Sequence, residues 1–114
     1  MLDPLVLAQL LSFRLERDWV QFHDPRNLSA ALAIEAAELQ EIFLWAKDAD
    51  LTSRVEARNI AIEQELADIA IVLSYLCNDL EIDINDAVRK KLEINRLKYP
   101  IEKARGSSKK YDEL

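Results

Sequence analysis

The chain is poor in residues that interrupt helices, with one glycine and three prolines among 114 residues. So few turn residues exclude an architecture of many short strands joined by tight turns. Cysteine is represented by Cys77 alone, which excludes an intramolecular disulfide and leads us to expect a reducing compartment. Histidine is represented by His23 alone. No run of 18 apolar residues occurs, so no membrane span is expected. The segment from Met1 to Leu11 carries Asp3 and Pro4 in place of a basic leader region, so no signal peptide is expected and the chain reads as cytoplasmic. Positive charge is also short: the formal net charge is -6 and the isoelectric point near 4.8. That balance argues against a nucleic acid polymer as partner, because phosphate backbones are bound by basic surfaces. A small phosphorylated ligand stays open to an acidic protein that holds metal ions and a local group of Lys and Arg.

Apolar residues make up half of the chain and charged residues 32%. Asp3-Pro4 reads as an N-cap with proline at the first helical position, opening a helix over roughly 4 to 22 through Leu7, Leu10, Leu11, Arg14, Leu15, Asp18 and Phe22. Asp24-Pro25 is expected to end it. Asn27 or Ser29 then caps a second helix running to about Trp45, and Lys47 to Thr52 reads as a polar connection. Ser53-Arg54-Val55-Glu56 has the form of a capping box opening a third helix to about Leu80. Asp83 caps a fourth, stopped by Tyr99-Pro100. The expectation is all-α: a four-helix bundle over residues 1–100, with 101–114 a flexible C-terminal tail. A bundle of this size that turns charge inward should recover burial by assembling with copies of itself.

Two acidic couples stand out, Glu35-x-x-Glu38 and Glu65-x-x-Asp68. Spacing of i, i+3 puts both members of a couple on one helix face. Glu35 falls within the apolar stripe of Leu28, Leu32, Leu39, Ile42 and Ala46, with Glu38 at its shoulder. Glu65 and Asp68 repeat the arrangement among Ala61, Ile69, Val72 and Leu76. Four carboxyl groups aimed inward must be protonated, paired or bound to a metal, and a hard divalent cation satisfies all four. With His23 outside both couples, oxygen-only ligation favours Mg²⁺ or Mn²⁺ over iron or zinc.

Lys91 and Asn95 lie i, i+4 on the fourth helix near Arg96 and Lys98. They read either as a solvated basic face or as partners for phosphate oxygens beside the metal. Trp19, Phe22, His23 and Trp45 fall at the ends of the first two helices and read either as core or as rings that stack on a nucleobase.

Taken together, Arg17-Asp18-Trp19, Phe22-His23-Asp24-Pro25-Arg26-Asn27-Leu28, the two acidic couples and Lys91-x-x-x-Asn95-Arg96-x-x-Tyr99-Pro100 resemble the MazG-like all-α nucleoside triphosphate pyrophosphohydrolases. The likeness is strongest to the dCTP pyrophosphatase branch and extends to Arg105-Gly106-Ser107 and Lys110-Tyr111. It implies Mg²⁺-dependent hydrolysis of a nucleoside triphosphate, dCTP or a related pyrimidine, to the monophosphate and pyrophosphate, by a homotetramer or homodimer. By matching positions it implies metal binding by Glu35, Glu38, Glu65 and Asp68, phosphate or sugar contacts by Lys91 and Asn95, and a base pocket from Trp19, His23 and Trp45. Val72 departs from the tyrosine that cytosine-preferring members carry four positions after the motif aspartate, which weakens the expectation of dCTP.

Glu38, on the shoulder of its stripe, is the expected group for orienting or deprotonating the attacking water. The competing expectation is a catalytically silent, metal-stabilised helical module that binds nucleotides or a protein partner.

Overall fold

The computed structural model describes residues 1–114 and contains helices without strands. Six α-helices take the place of the four expected: α1 (Pro4–Glu16), α2 (Pro25–Phe43), α3 (Leu51–Ala57), α4 (Asn59–Asp79), α5 (Ile84–Lys98) and α6 (Ile101–Ala104). None is long and apolar enough to cross a membrane. The chain divides into two compact units, Leu2–Glu81 and Ile82–Leu114.

In the first unit, Asp3 caps α1 by accepting from the Val6 N–H at 2.9 Å, with Pro4 at the first helical position. The helix stops at Glu16, short of the expected Phe22, because Asp18 adopts φ 53°. Aspartate tolerates that left-handed conformation better than most residues, and it turns the chain into the short 3₁₀ segment Val20–Phe22. Asp24-Pro25 opens α2 rather than merely closing the element before it. Asp24 is extended (ψ 165°) as a residue before proline must be, and its carboxylate accepts from the Asn27 N–H at 2.7 Å. That bond holds the Asp24 carboxyl below its ordinary pKa. Asn27 and Ser29 are therefore interior to α2; the Ser29 hydroxyl donates back to the Arg26 carbonyl at 3.1 Å.

Helix α2 ends at Phe43, two residues before Trp45, which leaves it with φ 68°. The expected polar connection holds a 3₁₀ turn, Asp48–Asp50, and the start of α3. Ser53 lies inside α3 and donates to the Asp50 carbonyl at 3.0 Å, so it forms no capping box. The single third helix expected from the sequence is divided at Arg58 (φ -111°, ψ 20°) into α3 and α4. Arg54 donates to the Ile42 carbonyl at 2.9 Å, tying α3 to the last turn of α2.

Helices α2 and α4 form the main packed pair. Leu28 meets the Tyr75 end of α4 around one cavity, and Ile42 meets Ala61 around another depression, so the two run antiparallel. The buried apolar residues are few: Leu28, Ile42 and Tyr75.

The second unit holds α5, capped by Asp83, whose carboxylate accepts from the Asn85 and Asp86 N–H groups at 3.0 and 3.2 Å. Pro100 follows its end, then α6, Gly106 in the left-handed region (φ 74°) and a 3₁₀ turn, Tyr111–Glu113. Tyr111 lies edge-on to Tyr99 at 6.3 Å, with the Lys98 ammonium 4.6 Å from its centroid.

A core this small makes each buried side chain count. Ile42→Ala is expected to cost about 2–5 kcal/mol and Ile42→Val about 0.5–1.5 kcal/mol in chemical denaturation. A midpoint indifferent to Ile42→Ala would show that this end of the α2–α4 seam is not a packed core.

Candidate metal centre and adjoining cavity

Halfway along the α2–α4 seam, Glu35 and Glu38 of α2 meet Glu65 of α4. Each offers one carboxylate oxygen, and the three oxygens lie within 4.8 Å of one another. The helical phase explains which are buried. Glu35 and Glu65, in the apolar stripes, are half-buried, and one oxygen of each is closed to solvent and has no hydrogen-bond partner. Glu38, at the shoulder of its stripe, is exposed. Asp68, one turn beyond Glu65, is exposed and lies outside the three-oxygen group.

Burial is the first cause that pushes the Glu35 carboxyl up to about 7, followed by Glu38 and then by the charges of Asp68 and Glu65. The Glu65 carboxyl is raised by burial and then by Glu38 and Asp68. Asp68 thus acts on the cluster at longer range. No lysine or arginine forms an ion pair with these groups. Arg58 borders the same depression, together with Glu41 and Ala61, without bonding to the carboxylates. A divalent hard cation fits this donor set: it would be held by Glu35, Glu38 and Glu65, and it would satisfy the two orphaned oxygens that nothing else in the chain reaches.

Next to the carboxylates lies a cavity of about 400 Å³, within the range of small-molecule sites. Its wall is mostly apolar: Leu10 and Phe13 from α1, Trp19, Leu28 and Ala31 from the start of α2, and Ile71, Val72 and Tyr75 from α4. His23, Asn27 and Asp68 are its polar members. Asp68 therefore joins the cavity to the carboxylate cluster. Trp19 stands edge-on to Phe13 at 5.6 Å and 6.4 Å from the His23 ring.

The structure thus brings Trp19 and His23 together in one cavity, and Val72, the departing position, is on its wall. Trp45 is elsewhere, 89% exposed beyond the end of α2. Lys91 and Asn95 occupy successive turns of α5 in the second unit, Lys91 exposed and Asn95 half-buried. Sequence reasoning missed Asn27, which it took for a cap, and Tyr75. It also missed Arg14, although a charged residue within the apolar period of α1 was a usable signal.

The carboxyl shifts have a definite sign. Glu35 and Glu65 hold protons more tightly in the folded chain than in the unfolded one; through Glu35 the metal-free fold should lose stability as pH rises from about 4.5, the ordinary glutamate value, to about 7, and Glu65 acts in the same direction. Thermal melts of the metal-free protein across that window should show the decline, and Glu35→Gln should flatten it. A melting temperature that rises through the same window would contradict the assignment.

A model of the MazG-like family matches residues 30–114. Human dCTP pyrophosphatase 1 is 43% identical over 104 residues, covering 90% of this chain and 61% of that protein; the rat protein of the same name is 41% identical over the same shares. The chain spans about three fifths of the length of these curated relatives. Among solved structures, a pyrophosphatase from Archaeoglobus fulgidus DSM 4304 superposes with a TM-score of 0.80 at 41% identity, covering 83% of this chain and 89% of that one. With three quarters of its length matched by the family model and its fold shared with that pyrophosphatase, the chain belongs to the MazG-like family.

Proposed function

We propose that the protein is a metal-dependent nucleoside triphosphate pyrophosphohydrolase acting on dCTP or a related or modified pyrimidine triphosphate, releasing the monophosphate and pyrophosphate. The observation that carries this reading is the juxtaposition of Glu35, Glu38 and Glu65 with a cavity that presents Trp19 and His23. One region can hold a cation, and the other has the size and apolar character for a base. The names of the relatives, dCTP pyrophosphatase 1 and a pyrophosphatase, support the same class.

In this reading Glu35, Glu38, Glu65 and Asp68 hold Mg²⁺ or Mn²⁺, which when bound neutralises triphosphate charge and acidifies water. Glu38, exposed at the edge of the cluster, orients the attacking water and takes its proton. Trp19 stacks on the base, His23 contacts its edge, and the apolar wall excludes water from that end. Lys91 and Asn95 bind phosphate or sugar oxygens. Val72 shapes the cavity where a tyrosine is expected in cytosine-preferring members, so base preference is set by this wall.

Trp45 belongs to the same reading through assembly. A tryptophan 89% exposed, with Leu5 at 70% and Leu80 at 47%, leaves apolar area that a second copy of the chain would cover. The protein is then a homodimer or homotetramer whose base pocket is completed by Trp45 of the neighbouring subunit.

Pyrophosphate release from a panel of canonical and modified triphosphates with Mg²⁺ should show a pyrimidine preference, and Glu65→Gln should lower the rate of release by roughly 100-fold or more together with Mg²⁺ affinity. Full activity in Glu65→Gln would remove the carboxylates from the mechanism, and no turnover of any triphosphate by the unaltered protein would leave a silent binding module. Light scattering should return a multiple of 13.1 kDa, and Trp45→Ala should raise KM by roughly 5- to 150-fold. A monomer at micromolar concentration, or unchanged kinetics in Trp45→Ala, would detach that residue from the site.

A further inference from the structure

A second charged arrangement lies behind the cavity wall, apart from the carboxylate cluster. Arg14 is only 5% exposed, and its guanidinium donates to both carboxylate oxygens of Asp79, the Nη1 bond measuring 2.8 Å. It also lies 4.6 Å from the Tyr75 ring centroid, and the Tyr75 hydroxyl donates to the Leu10 carbonyl at 2.9 Å. These contacts fix the guanidinium between α1 and α4. Its Nη1 then approaches Nδ1 of His23 at 3.4 Å.

The chemistry of the two groups leaves one compatible state. A guanidinium is always protonated and has no acceptor, so Nη1 can only donate. Nδ1 must carry the lone pair, and in a neutral imidazole the hydrogen then sits on Nε2. An N–H at Nδ1 would set donor against donor. Nε2 is the nitrogen left for a ligand in the cavity that His23 lines.

We propose that Arg14, held by Asp79, is a positioning residue that locks His23 as the Nε2–H tautomer, making it a hydrogen-bond donor to an acceptor edge of the bound base. A ring nitrogen or carbonyl oxygen meets that requirement, and an exocyclic amine alone does not. The identity of the ligand rests on the nucleotide reading above; the tautomer does not. The charged and titratable groups facing the imidazole are Arg14 from α1 and Asp79 and Tyr75 from α4. Burial lowers the His23 pKa first and the Arg14 charge lowers it further, while Asp79 opposes them. The net effect keeps the ring neutral at physiological pH, so the donor pattern does not switch.

Because His23 is the chain's only histidine, imidazole nitrogen NMR of the full chain without a histidine tag reports this one ring. The unaltered protein should show the Nε2–H tautomer at pH 7 and a titration midpoint below the ordinary value of about 6.5. The double variant Arg14→Met/Asp79→Leu removes both charges and so leaves no lone buried ion. It should mix the tautomers and raise KM roughly 2- to 12-fold, with the loss in KM rather than kcat. An Nδ1–H or protonated ring in the unaltered protein at pH 7 would overturn the proposal, as would a double variant with the same tautomer. The spectrum of the unaltered protein decides the tautomer even if the variant fails to fold. Pyrophosphate release is measured in parallel, so loss of the nucleotide reading is seen separately from loss of the tautomer.

Discussion

The repulsion among carboxylates at the α2–α4 seam is the constraint on which the rest of the first unit depends. Glu35 and Glu65 are carried into a half-buried position by the same stripes that supply Leu28, Ile42 and Tyr75 to the core. Packing the apolar positions therefore drives the acids together, and nothing in the chain pairs them. The raised carboxyl of Glu35 expresses this cost, since burial and like charge both disfavour the ionised form. A cation would reverse the sign of that interaction and so couple stability of the seam to cation binding.

The chain treats its two inward charge groups in opposite ways. The Arg14–Asp79 pair is internally neutralised, and the hydrogen bond lowers the Asp79 carboxyl while it raises the guanidinium. The glutamate cluster is left uncompensated. A paired buried charge holds geometry, whereas like charges left unpaired raise one another's carboxyl pKa. The 400 Å³ cavity is linked to each through one lining residue, Asp68, whose charge acts on Glu35 and Glu65, and His23, which Arg14 approaches.

Local chemistry explains where the helices start. Asp3-Pro4, Asp24-Pro25 and Asp83 each place a carboxylate to accept from the first free N–H groups, and these are properties of a few adjacent residues. Helix ends depended on more. Asp18 takes a left-handed conformation and Arg58 breaks a periodic stretch, and Arg54 reaching the Ile42 carbonyl shows that the second break is bound up with packing against α2. Periodicity alone could not reveal either, because apolar spacing continues through both positions.

What the amino-acid sequence determined by itself was the helical class, the Asp3 and Asp83 caps, and the inward phase of Glu35 and Glu65, since each follows from residue type and a period of 3.6. It also separated Glu35 at the centre of its stripe from Glu38 on the shoulder, and their burial follows that order. Tertiary structure decided which groups meet. It drew three acids into one oxygen cluster and set Asp68 on the cavity wall; it also moved Trp45 away from Trp19 and His23. It alone joined Arg14 to Asp79 across 65 positions of the chain. A contact of that separation depends on how α1 lies against α4, and no local propensity or spacing encodes that angle.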